Sequence, residues 1–213
     1  EDSFRRQTPP LPYRHNRQKS ITPFCYRLHL SYEFYSQKRI LDIGCGPRGS
    51  LDWAQNALER IGLDPLADEY KKLNSHLQMT ILRGKSESIP FADNYFDVVC
   101  SFNSLDHVDD LKVTVSEIKR VLKPSGTFLL IADLHPEPTA CEPVTFTWNL
   151  LQDHFYDMEI DEEKHYEKSS GIYQSIKDNI PFDHTNTSAR YGIVSAKMTK
   201  KVSVGTDTKL PSR

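Results

Sequence analysis

The sequence predicts an α/β protein built on a doubly wound, mostly parallel sheet, and three observations carry that reading. Short apolar runs recur at 39–43, 60–63, 79–82, 96–101 and 127–132. The segments between them are polar and helix-permissive, the pattern of strands buried on both faces and joined by crossover helices. The first run ends in a glycine-rich turn, "RILDIGCGPRGSLDWA" (39–54), carrying Gly44, Gly46 and Gly49. In open parallel sheets such turns lie at the carboxyl edge, where ligands bind.

Taken in order, residues 1–20 are polar and locally basic, with Arg5, Arg6, Arg14, Arg17 and Lys19 against Glu1 and Asp2. Pro9, Pro10 and Pro12 break them, so they read as an unpacked tail, with a phosphate-touching arm as the alternative. "FCYRLHLSYEF" (24–34) alternates like a strand, yet Leu28, Tyr32 and Tyr35 share one helical face, and both assignments stand. The chain divides into a tail and cap segment over 1–38 and a main domain over 39–213. The residues just after the glycine turn read like a helix. "DDLKVTVSEIKRVLKPSG" (109–126) is the strongest helix, with Leu111, Val115, Ile118 and Leu122 on one stripe and Pro124 and Gly126 to stop it. Beyond 145 we expect a short helix at 145–153, a strand near 155–160, a loop-rich stretch, and a final strand in "RYGIVSAKMTK" (190–200).

Composition narrows the function classes. The 213 residues make one ordinary domain, and a net charge of −2 gives no global attraction to nucleic acid or acidic membranes. Cys25, Cys45, Cys100 and Cys141 form no C-x-x-C pair and read as reduced thiols. No apolar run approaches the ~18 residues of a membrane span, and no signal-peptide core is visible. A soluble cytoplasmic protein is the expectation.

Two carboxylates sharpen the glycine turn, which alone is a weak signal shared with dinucleotide folds. Asp64 closes the next strand in "ERIGLDP", twenty residues after Gly44, where a carboxylate can accept both hydroxyls of a ribose. Asp42 lies two residues before Gly44. A carboxylate pointing into the pocket repels a pyrophosphate and suits an ammonium or sulfonium, which favours S-adenosylmethionine over a dinucleotide. Pro47 removes an N–H that phosphate binding would use.

At this point the chain resembles the class I S-adenosylmethionine-dependent methyltransferases, and most of all the small-molecule subgroup (type 11) that includes the ubiquinone/menaquinone-biosynthesis enzymes. The resemblance runs from about Arg39 to Ile131 through "RILDIGCGPRGS", "IGLDP", "GKSESIPFADNYFDVVCSFNSLDHVDD" and "EIKRVLKPSGTFLLI", in order and at the right spacing. It implies a Rossmann-like sheet of seven strands whose antiparallel last strand sits between the fifth and sixth. It implies that Asp42, Gly44 and Gly46 hold the methionine portion of the cofactor and Asp64 the ribose. Ser86 and Glu87 would meet the adenine edge, and Asn103 would face the methionine part. Lys85 stands where many relatives place an acid. Acceptor selectivity would lie in the link at roughly 167–190, with Tyr173, Phe182, Asp183 and His184, and in "DLHPEPTACEP" (133–143) after the fifth strand. The segment before residue 39 often caps the same mouth in relatives.

Methyl transfer from a sulfonium mainly requires alignment and exclusion of water, and needs a base only where the acceptor must lose a proton. His107, in "SLDHVDD", and His135, with Glu137 nearby, are the candidate bases, each against a purely structural alternative. Cys45 and Cys100 read as buried space-fillers. His154, His165 and His184 lack metal-ligand spacing, so no metal site is expected. Three rivals remain. A nucleic-acid (RNA) methyltransferase is disfavoured because "SFNS" (101–104) lacks the prolines of the Asn/Asp-Pro-Pro-aromatic tetrad. An NAD-dependent oxidoreductase leaves Asp42 and the 84–99 block unexplained. A catalytically silent cofactor-binding subunit is the third.

Overall fold

The computed structural model describes residues 30–188 and 191–202. Its seven strands are β1 (Arg39–Ile43), β2 (Glu59–Asp64), β3 (Thr80–Arg83), β4 (Phe96–Phe102), β5 (Leu122–Leu134), β6 (Met158–Glu167) and β7 (Gly192–Lys200). They form one sheet in the order β3-β2-β1-β4-β5-β7-β6. β3 to β5 pair in parallel, and β7 runs antiparallel to both β5 and β6. The expected architecture, with its antiparallel last strand inserted between the fifth and sixth, is therefore present.

Burial explains why the central strands read as unbroken apolar runs. Leu41, Ile43, Val99, Phe128 and Leu130 pack on one face of the sheet, under Val115, Ile118, Leu151 and Phe155. Those four come from α2 (Leu111–Val121) and from α3 (Leu150–His154) with its C-terminal neighbour. Ile40, Val98, Leu129 and Ile131 pack on the other face, under Tyr35, Leu51 and two residues of α4 (Ile172–Asp178), Ile172 and Ile176. β6, at the sheet edge, is the exception: Glu159, Asp161, Glu162, Glu163 and Lys164 are charged, exposed at 159–161 and half-buried beyond, which discourages further strand pairing.

Several local expectations are corrected. No helix comes after the glycine turn; residues 47–57 form consecutive turns instead, with bonds from Gly49, Asp52, Ala54 and Ala57 N–H back to carbonyls three residues earlier. Gly49, at φ +63°, breaks helical geometry at the start. The Asp52 carboxylate then fixes the turns by accepting from Gln78 N–H (2.6 Å) and Met79 N–H (2.9 Å) at the approach to β3. The β3–β4 link is likewise without a helix, so only α1 (Ala67–Leu73) and α2 are true crossover helices of the parallel part. α2 starts as expected, its N-cap Asp110 accepting from Val113 N–H at 3.0 Å. It stops one residue earlier than its apolar stripe suggests. Leu122 already pairs with Phe96, and the pairing then skips to Thr127–Val98, leaving a turn with Ser125 at φ +61°.

Toward the C-terminus, β6 begins at Met158 and runs to Glu167, later and longer than the strand expected near 155–160. The supposed loop-rich stretch contains α4. Within 24–34 the described residues include no strand: a single 3-10 turn, Tyr32–Tyr35, buries Tyr35 edge-on against Trp53. Residues 24–29 and the basic tail, with Cys25, lie outside the described residues.

Candidate functional site

A cavity of about 440 Å³ opens at the carboxyl ends of β1, β2 and β4. Gly44 and Gly46 form its floor, both in the left-handed region, at φ +66° and +63°. A Cβ on Gly44 would come within 2.3 Å of Ser104 Cβ, whereas a Cβ on Gly46 would meet nothing within 4 Å. Gly44 thus lets two segments pack, and Gly46 leaves room for a ligand to approach the backbone.

Asp64 stands beside this floor, almost wholly buried. One carboxylate oxygen accepts from Gly46 N–H (3.2 Å) and the other from Leu66 N–H (2.9 Å). Two backbone donors fix the carboxylate, and each oxygen keeps lone-pair capacity for a further donor such as a ribose hydroxyl. Across the cavity Asn103 sits at φ +60°, pinned by its N–H to the Ile131 carbonyl at 2.7 Å. Its Oδ1 is buried with no hydrogen-bond partner, an acceptor suited to an ammonium.

Glu87 and Ser86 line the same cavity, but both are engaged. Glu87 Oε1 accepts from Asp109 N–H (2.8 Å) and Asp110 N–H (3.1 Å), and so braces the turn before α2. Ser86 Oγ lies 3.1 Å from Thr114 Oγ1 on α2. Lys85 pairs with Asp109 on the exposed rim.

Asp42 is placed differently from expectation. Strand alternation sends it to the Ile40 face, where it is fully buried and does not line the cavity. Neither oxygen reaches hydrogen-bond geometry with a partner. Burial raises its pKa to about 7, opposed by the nearby Ser50 and reinforced by the charge of Asp64. It lies beneath the glycine turn and does not point into the pocket. Cys45 and Cys100 are also buried, and burial pushes both thiols up, which leaves them unreactive.

The two candidate bases converge on a residue that sequence reasoning passed over. Asp106 is fully buried, and neither carboxylate oxygen has a hydrogen-bond partner. His107 Nε2 lies 3.7 Å from its Oδ1, and His135 Nε2 lies 4.0 Å from its Oδ2. Each ring is oriented from behind: His107 Nδ1 bonds the Cys141 carbonyl at 2.6 Å and His135 Nδ1 the Glu137 carbonyl at 2.7 Å. A carbonyl only accepts, so Nδ1 carries the proton and a neutral ring presents a bare Nε2. Burial raises the Asp106 pKa, and His107 opposes the shift. The one signal in the sequence was an acid between Leu105 and the histidine.

His107 lines the first cavity, while His135 lines a second of about 290 Å³. There Trp148 meets Phe182 (ring centroids 4.4 Å) and His184 (4.9 Å). A Cβ on Gly192 would strike the Trp148 ring at 2.4 Å, so only glycine leaves space for that indole. Of the predicted acceptor-link residues, Phe182 and His184 reach this cavity. Tyr173 instead donates to the Phe102 carbonyl at 3.4 Å, and Asp183 accepts from Thr185. His165, distant from His184 in sequence, lies 2.9 Å from it, nitrogen to nitrogen.

Comparison with known proteins places this geometry. Residues 41–130 match the family described as methyltransferase domain. The Bacillus subtilis protein named uncharacterized methyltransferase YcgJ is 29% identical over 171 residues, covering 75% of this chain and 68% of its own length. The demethylmenaquinone methyltransferase of Lactococcus lactis is 36% identical over 94 residues, covering 43% of this chain and 35% of its own. Other matches are also partial: one to the 2-phytyl-1,4-naphtoquinone methyltransferase of Synechocystis spans 59% of that protein, and one to Escherichia coli YafE spans 28%. The crystal structure of YcgJ superposes with a TM-score of 0.60 at 20% identity, over 83% of this chain and 99% of that one, a likeness of fold. Over residues 41–130 the chain is thus similar to methyltransferase domains, and its Bacillus, Lactococcus and Synechocystis relatives are named methyltransferases.

Proposed function

We propose that the chain transfers the methyl group of S-adenosylmethionine to a small-molecule acceptor by in-line displacement. The observation that carries this reading is the single cavity that Gly44, Gly46, Asp64 and Asn103 line together, with Asp64 fixed by the Gly46 N–H. Asp64 offers lone pairs to a ribose diol, Asn103 would face the methionine part, and the open side of Gly46 gives access to the backbone. When bound, the cofactor supplies an electrophilic methyl on a sulfonium. Ser86 and Glu87 line the adenine end of that reading, with Glu87 also holding the wall in shape.

The acceptor reading rests on the second cavity. Its aromatic lining of Trp148, Phe182 and His184 suits a flat or apolar small molecule, as the quinone-directed names of two relatives also suggest. His135, which lines this cavity beside Asp106, and His107, which lines the first, are the candidate proton acceptors for a phenol or alcohol. The residues Ser101–Ser104 lack the Asn-Pro-Pro-aromatic tetrad, which gives no support to nucleobase amino methylation.

Calorimetric titration with S-adenosylmethionine, S-adenosylhomocysteine and NAD tests the cofactor. We expect micromolar binding of the first two, none of NAD, and at least a tenfold loss in Asp64→Ala. Heat from NAD alone would return the chain to the oxidoreductases. Binding of S-adenosylmethionine with no turnover across quinols, phenols and amines would favour a silent partner subunit.

A further inference from the structure

We propose that Asp106, His107 and Glu142 form a binding site for a borderline divalent cation, of which zinc is the type, at the inner end of the loop that follows β5. One ligand atom from each of the three lies within 4.8 Å of the others. All three can offer a lone pair to a metal. Asp106 is fully buried, with neither carboxyl oxygen hydrogen-bonded; Glu142 adds a second carboxyl; and His107 turns Nε2 toward Asp106 Oδ1, because Nδ1 bonds the Cys141 carbonyl. A buried carboxyl whose oxygens lack a hydrogen-bond partner is costly to charge unless a cation compensates it, and an ion shared with His107 and Glu142 would do so at closer range than the Lys168 ammonium nearby.

The surrounding shell is that of a ligand set. A backbone carbonyl fixes the tautomer of His107, as outer partners do for metal-bound imidazoles. Thr139 Oγ1 donates to Glu142 Oε2 at 3.2 Å, leaving the other oxygen for an ion. The same loop is tied to Asp106 itself, whose backbone carbonyl accepts from Val144 N–H at 3.2 Å. Tetrahedral ligands about 2.0–2.2 Å from zinc stand roughly 3.3–3.6 Å from one another. The 3.7 Å between Asp106 Oδ1 and His107 Nε2 needs only a small closure. One imidazole with two carboxylates favours zinc or manganese over magnesium, and three protein ligands leave a coordination position open. His135 flanks the other Asp106 oxygen at 4.0 Å.

Because His107 also lines the first cavity, the ion would stand beside the methyl-transfer path and could hold an acceptor oxygen at its open position. That use rests on the methyltransferase reading; the binding of metal does not. Protein freed of metal by chelation and of any affinity tag is dialysed against zinc or manganese chloride, and bound metal is counted by mass spectrometry. We expect one ion per chain. Glu142→Gln and His107→Gln should each weaken binding at least tenfold. Cys141→Ser, which removes the exposed thiol beside the site, should leave it unchanged. Thermal melting of the chelated variants controls for folding. No stoichiometric uptake of either ion overturns the proposal, as does uptake that survives both ligand substitutions or is lost with Cys141. Calorimetry of the chelated protein with S-adenosylmethionine reads the cofactor site separately, so the two readings fail independently.

Discussion

The two halves of the site treat their carboxylates in opposite ways. On the proposed cofactor side, Asp64 and Glu87 each accept two backbone N–H bonds, so their carboxylates are held in place before any ligand arrives. On the proposed acceptor side, neither oxygen of the buried Asp106 has a hydrogen-bond partner, and neither has His135 Nε2 beside it. Backbone donors come from the path of the chain, which a motif specifies; missing donors must come from a ligand. As proposed, the cofactor half is preorganised, and the acceptor half leaves polar atoms open to a proton, a cation or a substrate.

The sharpest way to break the preorganised half is Gly44→Ala. Its Cβ would lie 2.3 Å from Ser104 Cβ, and the residue sits at φ +66°. Overpacking and left-handed strain together should cost about 2–5 kcal/mol by denaturant melting, with cofactor binding lost. Gly46→Ala meets no protein atom, so stability should suffer less while binding still falls. Equal destabilisation by the two would mean the turn is held by packing alone.

Asp42 tests whether an unpartnered carboxylate also hides beneath the cofactor side. Its folded pKa of about 7 exceeds the ordinary 3.8, so folding takes up a proton between those values. The resulting stabilisation is full below about pH 4 and is lost as pH rises through 7. Asp42→Asn should match the wild type near pH 4 and exceed it at pH 8 by an amount on the order of 4 kcal/mol. Urea melts of the ligand-free protein at the two pH values check this, and identical pH slopes would show the charge is compensated.

Glu87 gives a smaller effect. Removing both charge-assisted bonds in Glu87→Ala should release the turn before α2 at about 1.5–3 kcal/mol, and calorimetry should show cofactor affinity reduced roughly 10–100-fold. Glu87→Gln, which can still offer an oxygen to Asp109 and Asp110, should fall in between. Retained affinity in the alanine variant would make the brace dispensable.

The same contrast explains what was legible in the sequence. β1, β2 and β4 could be read to within a residue or so because burial on both faces leaves continuous apolar runs, and Gly44, Gly46 and Asp64 because the chain path needs them. The turns at 47–57 were not, since the Asp52 bonds that replace a helix reach residues 78 and 79. α4 was overlooked although Ile172 and Ile176 hold helical spacing, because only seven residues carry it. Asp42 was misdirected: the sequence places it on β1, but which face it takes is decided by Leu41 and Ile43 filling the other. Asp106 was invisible for the same kind of reason. Nothing about an acid next to a histidine announces that both its oxygens will be buried, or that His135, from a different strand end, will stand on its far side.

Lys85 sets the lower bound of the comparison. Like Glu87 it joins the turn after β3 to the turn before α2, here through the Asp109 carboxylate. Both partners are largely exposed, with side chains 62% and 72% open to solvent. Water screens the attraction, and holding two long side chains together costs conformational entropy, so such pairs contribute little. Lys85→Ala should therefore change cofactor affinity by no more than about twofold at physiological ionic strength, with a slightly larger effect at low salt. Calorimetric titrations at two salt concentrations measure both. The two residues link the same segments, so a loss as large as that of Glu87→Ala would show that the rim charge itself, and not the backbone brace, holds the wall of the cavity. A small, salt-sensitive loss would leave preorganisation where the buried hydrogen bonds put it.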